Sequence, residues 1–207
     1  MKLPPSNFQP LSESRTRLGF SLIELLAVMA IVAVLSGATA MLFSDGRSLG
    51  IQTSAAQVSS TLSMARDLAV TSNRRTRFMV VTEDVTNPVD QRRKSYSVLQ
   101  YDEGSAEFIP VSAAKALPAG VFFGEDQENE ASGRGIFDSR AQISLRGNAV
   151  NYAFIEFQPS GGTSGNSAAN IFSIVQGNAA DQAPSQSANY ARLGVAQHTG
   201  RVKVERR

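Results

Sequence analysis

The sequence predicts an α+β protein in which a long N-terminal helix precedes a mainly antiparallel β domain. Three observations lead to this expectation. Residues 20–43 are almost wholly apolar, and residues 51–69 carry apolar side chains at helical spacing. Beyond Asn73 the chain breaks into short, strand-like segments that are bounded by turn residues. A chain of 207 residues has room for one globular domain and an appendage.

Composition argues against most enzyme classes. The chain is 42% hydrophobic and 18% charged, which suits a folded core, and it contains no Cys and one His, His198. The lack of Cys excludes disulfide frameworks, thiol nucleophiles and thiolate metal sites. A single histidine argues against a histidine-based triad or a multi-histidine metal site. We therefore expect a non-enzymatic protein with no catalytic residue, no metal site and no cofactor.

The apolar run is long enough to cross a membrane. A helix of 24 residues at about 1.5 Å per residue spans about 36 Å, against about 30 Å of hydrocarbon. Arg15 and Arg17 precede the run, and Arg47 follows it, two residues after Asp45. The positive-inside rule then leaves the N-terminus in the cytoplasm and residues 45–207 outside. Residues 20–44 are predicted to be a single transmembrane helix.

An ordinary secretory signal is the alternative interpretation of the N-terminus. Such a signal has a basic start, an apolar core of about 7–15 residues and a small-x-small cleavage site. Small residues at 35–40 resemble such a site. However, the leader at residues 1–19 is polar and contains prolines, and the apolar run is too long. The sequence favours a retained helix.

Glu24 interrupts the apolar run near its start, where a carboxylate is costly. It could be hydrated at the level of the lipid headgroups, or it could have a cationic partner. Cleavage between Gly19 and Phe20 would create an α-amino group that is largely charged at neutral pH. Phe20 and Glu24 lie about 6 Å apart along a helix axis. The amine of one subunit could therefore meet Glu24 of a neighbour that is staggered by about one turn.

The string from Arg17 to Leu26, RLGFSLIELL, resembles the class III signal of type IV prepilins and type II secretion pseudopilins. The resemblance implies that prepilin peptidase cleaves after Gly19 and N-methylates Phe20, and that Glu24 guides subunit assembly. It also implies a bacterial inner-membrane protein with a periplasmic C-terminal domain. Its partners would be other pilins, contacted through the N-terminal helix, the peptidase, and an inner-membrane assembly platform.

A second helical segment follows the apolar run. Its apolar residues advance by steps of three and four, which gives one stripe of an amphipathic helix. Together the two segments predict one helix over residues 21–72, interrupted at most near Asp45. The stripe consists of Ile51, Ala55, Val58, Leu62, Ala65 and Ala69.

The predicted domain organisation follows from these segments. Residues 1–19 form a leader, 20–44 the membrane helix, 45–75 the amphipathic helix and 76–207 the β-rich domain. Residues 159–170 and 177–189 are rich in small and polar residues and are expected to form exposed loops, and Gln197 to Gly200 a hairpin turn. The predicted strands are residues 77–81, 95–101, 121–123, 150–157, 170–175, 192–197 and 201–205.

Two short motifs narrow the resemblance. Phe157, Pro159 and Gly161 resemble the F-x-P-x-G element of the H-type minor pseudopilins, the GspH/FimT family. The string that begins at Gly200, Arg201 and Val202 resembles the closing Gly-Arg-Val strand of the same family. These motifs imply a pilin-like fold and a minor pseudopilin of a type II secretion pseudopilus or a type IV pilus.

Some alternatives stay open at this stage. A basic tail could contact DNA in an uptake pilus, or the chain could be a membrane-tethered binding protein that does not polymerise. The acidic residues 125–130 are expected to form a solvated loop, with calcium binding as the alternative. Basic clusters at 74–77 and 92–94 are expected to form a solvated rim or to protect edge strands. The tail residues are Arg201, Lys203, Arg206 and Arg207.

Overall fold

The computed structural model describes residues 22–44, 46–83, 85–126, 135–145, 147–165, 170–177 and 189–206, and side chains in these ranges except for 34–49 and 206. The chain divides into two compact units, Met1–Ser44 and Asp45–Arg207. Gly19 and Phe20 lie outside the described residues, as do residues 127–130 of the acidic stretch and Arg207.

The first unit contains helix α1 (Leu22–Ser44), with Glu24 in its first turn. Every side chain described in this helix, from residue 22 to residue 33, is exposed, including Leu22 and Ile23. The transmembrane segment predicted at residues 20–44 is not identified in the structure: among the described residues, no helix combines the length and hydropathy needed to cross a membrane.

The second unit begins with helix α2 (Gly46–Ser72). It is amphipathic in the way the sequence predicts, because one stripe faces the domain and the intervening polar residues are mostly exposed. Burial of this stripe removes apolar surface from water and anchors the helix to the domain. All six residues of the stripe are at most 4% exposed: Ile51, Ala55, Val58, Leu62, Ala65 and Ala69.

Helix α2 ends in a Schellman-type cap. Asn73 has a positive φ of 53°, a conformation that asparagine tolerates better than most residues. The N–H of Arg74 then donates to the carbonyl of Ala69 at 3.2 Å, which satisfies one of the last carbonyls of the helix. This cap directs the chain into the first strand.

Ten strands are described in the second unit, and a 3-10 helix, Gly135–Asp138, precedes the sixth. The strands are β1 (Thr76–Val81), β2 (Ser95–Asp102), β3 (Glu107–Pro110), β4 (Lys115–Ala116), β5 (Val121–Gly124), β6 (Arg140–Leu145), β7 (Asn148–Phe157), β8 (Ile171–Gln176), β9 (Tyr190–Val195) and β10 (Val202–Arg206).

These strands form two sheets in which all pairings are antiparallel. The first sheet has the order β3-β2-β1-β7-β6, with β4 also paired to β2, and the second has the order β10-β9-β8-β5. Helix α2 contacts strands of both sheets, so one core lies between the helix and the sheets. The predicted α+β class, with a helix packed on antiparallel sheets, is confirmed.

Aromatic side chains fill the centre of this core. The rings of Phe78, Tyr96, Phe123 and Phe172 lie with neighbouring centroids 5.6–6.2 Å apart. Such contacts contribute beyond simple area burial. Burial raises the pKa of the Tyr96 hydroxyl, and a hydrogen bond with Thr61 of α2 partly offsets this increase. The core therefore ties α2 to strands from both sheets.

Each of the seven predicted strands overlaps an observed strand, and no strand end is shifted by more than two residues. Strands β3, β4 and β6 were not predicted. The first two are short and mostly exposed, so they carry no clear alternation. Strand β6 does alternate, because Ala141, Ile143 and Leu145 are half-buried and the residues between them are exposed.

The expectation of an exposed loop at residues 159–170 is wrong for residues 161–163 and for residue 170, and residues 166–169 lie outside the described residues. Gly161, Gly162 and Thr163 are buried, because Thr163 forms a bridge with Phe157 and its N–H donates to the carbonyl of Gln197 at 2.8 Å. Asn170 is also buried, and its amide donates to the Thr163 hydroxyl at 2.6 Å.

Candidate functional site

The N-terminal candidate residues lie at the boundary of the described chain. Glu24 is exposed in the first turn of α1, next to apolar side chains that are also exposed. Leu22 and Ile23 are 82% and 78% exposed, and Met29 is 66% exposed. An exposed apolar helix surface of this kind is stable only when lipid or other helices surround it.

The two C-terminal motifs, which are far apart in sequence, meet in the structure. Phe157 is fully buried at the end of β7, and the chain then turns through Pro159. Two hydrogen bonds of 2.8 Å close this turn: Gln158 N–H donates to the Gly162 carbonyl, and Gly161 N–H donates to the Gln158 carbonyl. Gly161 has a φ of 87°, which favours glycine.

Gly200 ends the turn between β9 and β10. This turn packs directly against the turn at residues 158–162. The N–H of Gly200 donates to the Ala196 carbonyl at 2.7 Å, and the φ of this residue is 62°. A Cβ atom on Gly200 would lie 2.2 Å from the Gly161 carbonyl oxygen. Both conditions require glycine at position 200. The predicted hairpin turn before β10 is therefore also the place where the two motifs come into contact.

Arg66 of α2 joins the two turns. Its Nε donates to the carbonyl oxygen of Thr199 at 2.7 Å and lies 3.3 Å from that of Gly161. The guanidinium is one-third exposed and also pairs with Asp67 at 3.4 Å. We call the contact of Arg66 with the turns at Gly161 and Gly200 the motif junction. Arg66 was not identified from the sequence. Its hydrogen-bond acceptors in the two turns are backbone carbonyl oxygens, which every residue has, so no residue pattern marks them.

Replacing Arg66 with glutamine is expected to lower the free energy of unfolding of the globular unit by about 1–2 kcal/mol, because a charge-assisted hydrogen bond to backbone carbonyls is lost. Chemical denaturation would measure the change. Asp67→Asn is the matched control: it removes only the exposed ion pair and should change the stability by about 0.5 kcal/mol or less. Equal effects of the two variants would contradict the role assigned to Arg66.

The basic tail is only partly free to bind anions. Lys203 pairs with Glu205 at 2.6 Å, and Arg192 of β9 reaches the same carboxylate at 3.1 Å. These hydrogen bonds, from Lys203 first and then Arg192, hold the pKa of Glu205 below its ordinary value. Arg201 is exposed. The side chains of Arg206 and Arg207 lie outside the described residues.

The inner face of this closing strand is apolar. Val202 and Val204 are half-buried and pack against the core, so the charged residues alternate with them on the other face. This arrangement is typical of an edge strand that is protected by charges. It is the arrangement expected of a closing strand.

The acidic stretch differs from the solvated loop expected. Asp126 is buried, and its carboxylate accepts two hydrogen bonds from Arg192, at 2.8 and 3.0 Å. Glu125 lies 3.4 Å from Arg93. Among the residues described, no group of three or more histidine or acidic side chains could hold a metal ion. The solvated-loop prediction is therefore wrong for Asp126.

The expected basic rim is also wrong in part. Arg77 lies on β1, an interior strand, where its guanidinium contacts the rings of Phe108 and Phe154 at 3.7 and 4.0 Å and pairs with the buried Glu156 at 2.8 Å. Arg93 is buried and pairs with Glu83. Arg77 and Arg93 therefore contribute to packing within the domain, where aromatic rings and carboxylates are their partners.

Comparison with protein families gives a match at the N-terminus. Residues 14–40 match the family described as the prokaryotic N-terminal methylation motif, and this span contains Gly19, Phe20 and Glu24. This segment is therefore similar to N-terminal segments that are methylated in prokaryotes. No curated protein matches the chain.

Several solved structures resemble this chain at low sequence identity. The type IV minor pilin FimU of Pseudomonas aeruginosa is 17% identical, with a TM-score of 0.44 over 75% of this chain and 87% of FimU. A structure of the minor pseudopilin EpsH of the Vibrio cholerae type II secretion system is 12% identical, with a TM-score of 0.43 over 76% of this chain and 97% of EpsH. A second EpsH structure has a TM-score of 0.41 at 12% identity, over 75% and 92% of the two chains.

Proposed function

We propose that this chain is a non-enzymatic minor pilin or pseudopilin subunit of a type II secretion pseudopilus or a type IV pilus. The observation that carries the proposal is the methylation motif at residues 14–40. Prepilin peptidase cleaves the chain after Gly19 and N-methylates Phe20. Glu24 then pairs with the terminal amine of a neighbouring subunit during assembly.

The chemistry of α1 supports a membrane and filament location. Its described side chains are almost all apolar and all exposed, and they need lipid or other helices around them. Before assembly, residues 20–44 anchor the chain in the bacterial inner membrane, with residues 45–207 in the periplasm. After assembly, the same segment packs against other pilin-type helices in the filament core.

The described part of the basic tail does not favour nucleic-acid binding. A phosphate-binding tail needs free cations, and Lys203 is already paired with Glu205. We therefore propose protein partners: other pilins, the peptidase and an inner-membrane assembly platform. A tethered binding protein that does not polymerise is distinguished by crosslinking within residues 20–35, since only a filament subunit crosslinks there to other pilin-type helices.

Mass spectrometry of the mature N-terminus tests the proposal. We expect N-methylated Phe20 as the first residue in cells with an active prepilin peptidase, and an intact Met1 or unprocessed leader in cells without it. Gly19→Val is the matched variant, and it should leave the leader attached because a branched side chain replaces the hydrogen of glycine at the cleaved bond. A mature N-terminus near residues 38–40 in either strain would contradict the proposal and indicate an ordinary secretory signal.

A further inference from the structure

Strand β6 forms an open edge of the first sheet. It pairs with β7 on one side, and no other described strand pairs with it on the other side. Its one charged residue, Arg140, is at the start of the strand, and residues 141–145 carry no charge and include no proline. An open strand of this kind presents unpaired backbone donors and acceptors to any extended chain.

The other outer strands in the described chain are better protected. Strand β3 contains Glu107 and Pro110, and β10 contains Lys203 and Glu205. On the outer side of β5, the N–H of Phe123 already donates to the carbonyl of Arg93 at 2.8 Å. Charges and prolines on edge strands oppose strand addition. Strand β6 is therefore the edge most open to it.

The register of β6 and β7 shows which backbone groups face outwards. The N–H of Phe154 donates to the carbonyl of Ser139 at 3.1 Å, and these two residues stand directly opposite each other. In an antiparallel pair, hydrogen-bonded and non-hydrogen-bonded residues alternate. The N–H and C=O groups of Arg140, Gln142 and Ser144 therefore point towards the open edge.

The side chains of β6 also determine which alternation of apolar and polar residues a partner strand must have. Ala141, Ile143 and Leu145 are half-buried and pack on an apolar cluster on the outer face of the sheet, whereas Gln142 and Ser144 are exposed. An added strand must alternate in the same way to extend both faces. The apolar cluster consists of Met79, Val81, Leu99, Val150 and Tyr152.

We propose that β6 pairs with β6 of a second copy of this chain, antiparallel and two-fold symmetric about Gln142. In this register Gln142 faces its own copy and Arg140 faces Ser144, so every outward backbone group of these residues gains a partner. Ala141 then lies beside Ile143 of the other copy on the apolar face. Symmetry about Ile143 is disfavoured because it would set Arg140 opposite another arginine, residue 146 of the sequence.

The absence of Cys from the chain makes a disulfide test clean. In the proposed register the Cα atoms of the two Gln142 residues are about 5.5 Å apart, which lies within the Cα–Cα range of disulfides. The full-length chain with Gln142→Cys, purified in detergent and oxidised, is expected to form a covalent dimer. Glu107→Cys is the matched control, because it also lies exposed on an outer strand of the same sheet.

Ser144→Pro provides the second variant. Its lost N–H points to the open edge, so the proline removes no hydrogen bond to β7 and suits an edge strand. In the Gln142→Cys background it removes two symmetry-related hydrogen bonds and should slow dimer formation about thirtyfold, while the far-ultraviolet circular dichroism is unchanged.

Three results would overturn the pairing. One is dimer formation by Gln142→Cys that is no faster than by Glu107→Cys. Another is a rate that Ser144→Pro leaves unchanged. The third is faster crosslinking of Ile143→Cys than of Gln142→Cys, which would indicate a different register. None of these outcomes bears on N-terminal processing, so the filament proposal stands or falls separately.

Discussion

Replacement of Gly200 by alanine is expected to lower the free energy of unfolding by about 3 kcal/mol, and the melting temperature by about 10 °C. Two costs combine. The φ of 62° disfavours any side chain, by about 1–2 kcal/mol, and the new Cβ would lie 2.2 Å from the Gly161 carbonyl oxygen. The motif junction must open to relieve this overlap. Thermal and chemical denaturation of the full-length chain would measure the effect.

Alanine substitutions at two other glycines measure the backbone strain and the steric overlap separately. Gly147 has a φ of 83°, and a methyl group added there would have nothing within 4 Å, so Gly147→Ala should cost only the backbone strain, about 1 kcal/mol. Gly194 in β9 has no positive φ, and its nearest neighbour, an Ile171 carbon, would lie at 3.9 Å. Gly194→Ala should therefore be close to neutral. A loss for Gly200→Ala no larger than that for Gly147→Ala would contradict the steric role of the junction.

Glu24→Gln is expected to reduce incorporation of the subunit into filaments at least tenfold, while cleavage after Gly19 proceeds normally. In the proposed assembly the reason is electrostatic. Glutamine could not form an ion pair with the terminal amine of Phe20 on a neighbouring subunit, and the unpaired amine in an apolar filament core would cost far more than the roughly 1.4 kcal/mol that corresponds to tenfold. Insertion of the helix should not suffer, because a costly charge has been removed. The ratio of subunit in sheared filaments to subunit in membranes measures the effect.

Asp67→Asn serves as the control for charge removal as such, because Asp67 is an exposed carboxylate of α2 in a weak ion pair. It should be incorporated like the unmodified chain. If Glu24→Gln is also incorporated normally, the carboxylate is explained by hydration at the membrane surface, and the assembly role is wrong.

The helix and most strands could be predicted because burial follows a local period. The stripe from Ile51 to Ala69 repeats every three or four residues, and all of it is buried. Strand β6 carries the same kind of signal at period two, in Ala141, Ile143 and Leu145, and could have been found from it. Short strands such as β4 give no periodic signal in the sequence, because two residues are too few to show an alternation.

The motif junction shows the limit of sequence reasoning. The glycines at 161 and 200 were singled out by resemblance, but their contact depends on backbone atoms. Arg66 bonds to carbonyl oxygens, which every residue possesses, so nothing in the sequence marks its partners. The pair of Arg192 with Asp126, 66 positions apart, was missed for the same reason. Specific long-range polar contacts need the fold before they can be recognised.

The contact between Arg66 and Thr199 spans 133 positions, and this distance affects how the protein is made. The partners of Arg66 include the turn before the closing strand, which leaves the ribosome long after α2. Until that turn arrives, α2 lacks β9 and β10, two of the strands against which it packs. The β-rich unit therefore cannot complete its fold during synthesis of its first half, and such non-local closure is intrinsically slow. A nascent chain whose closing strands are still missing therefore lacks part of the surface on which α2 packs.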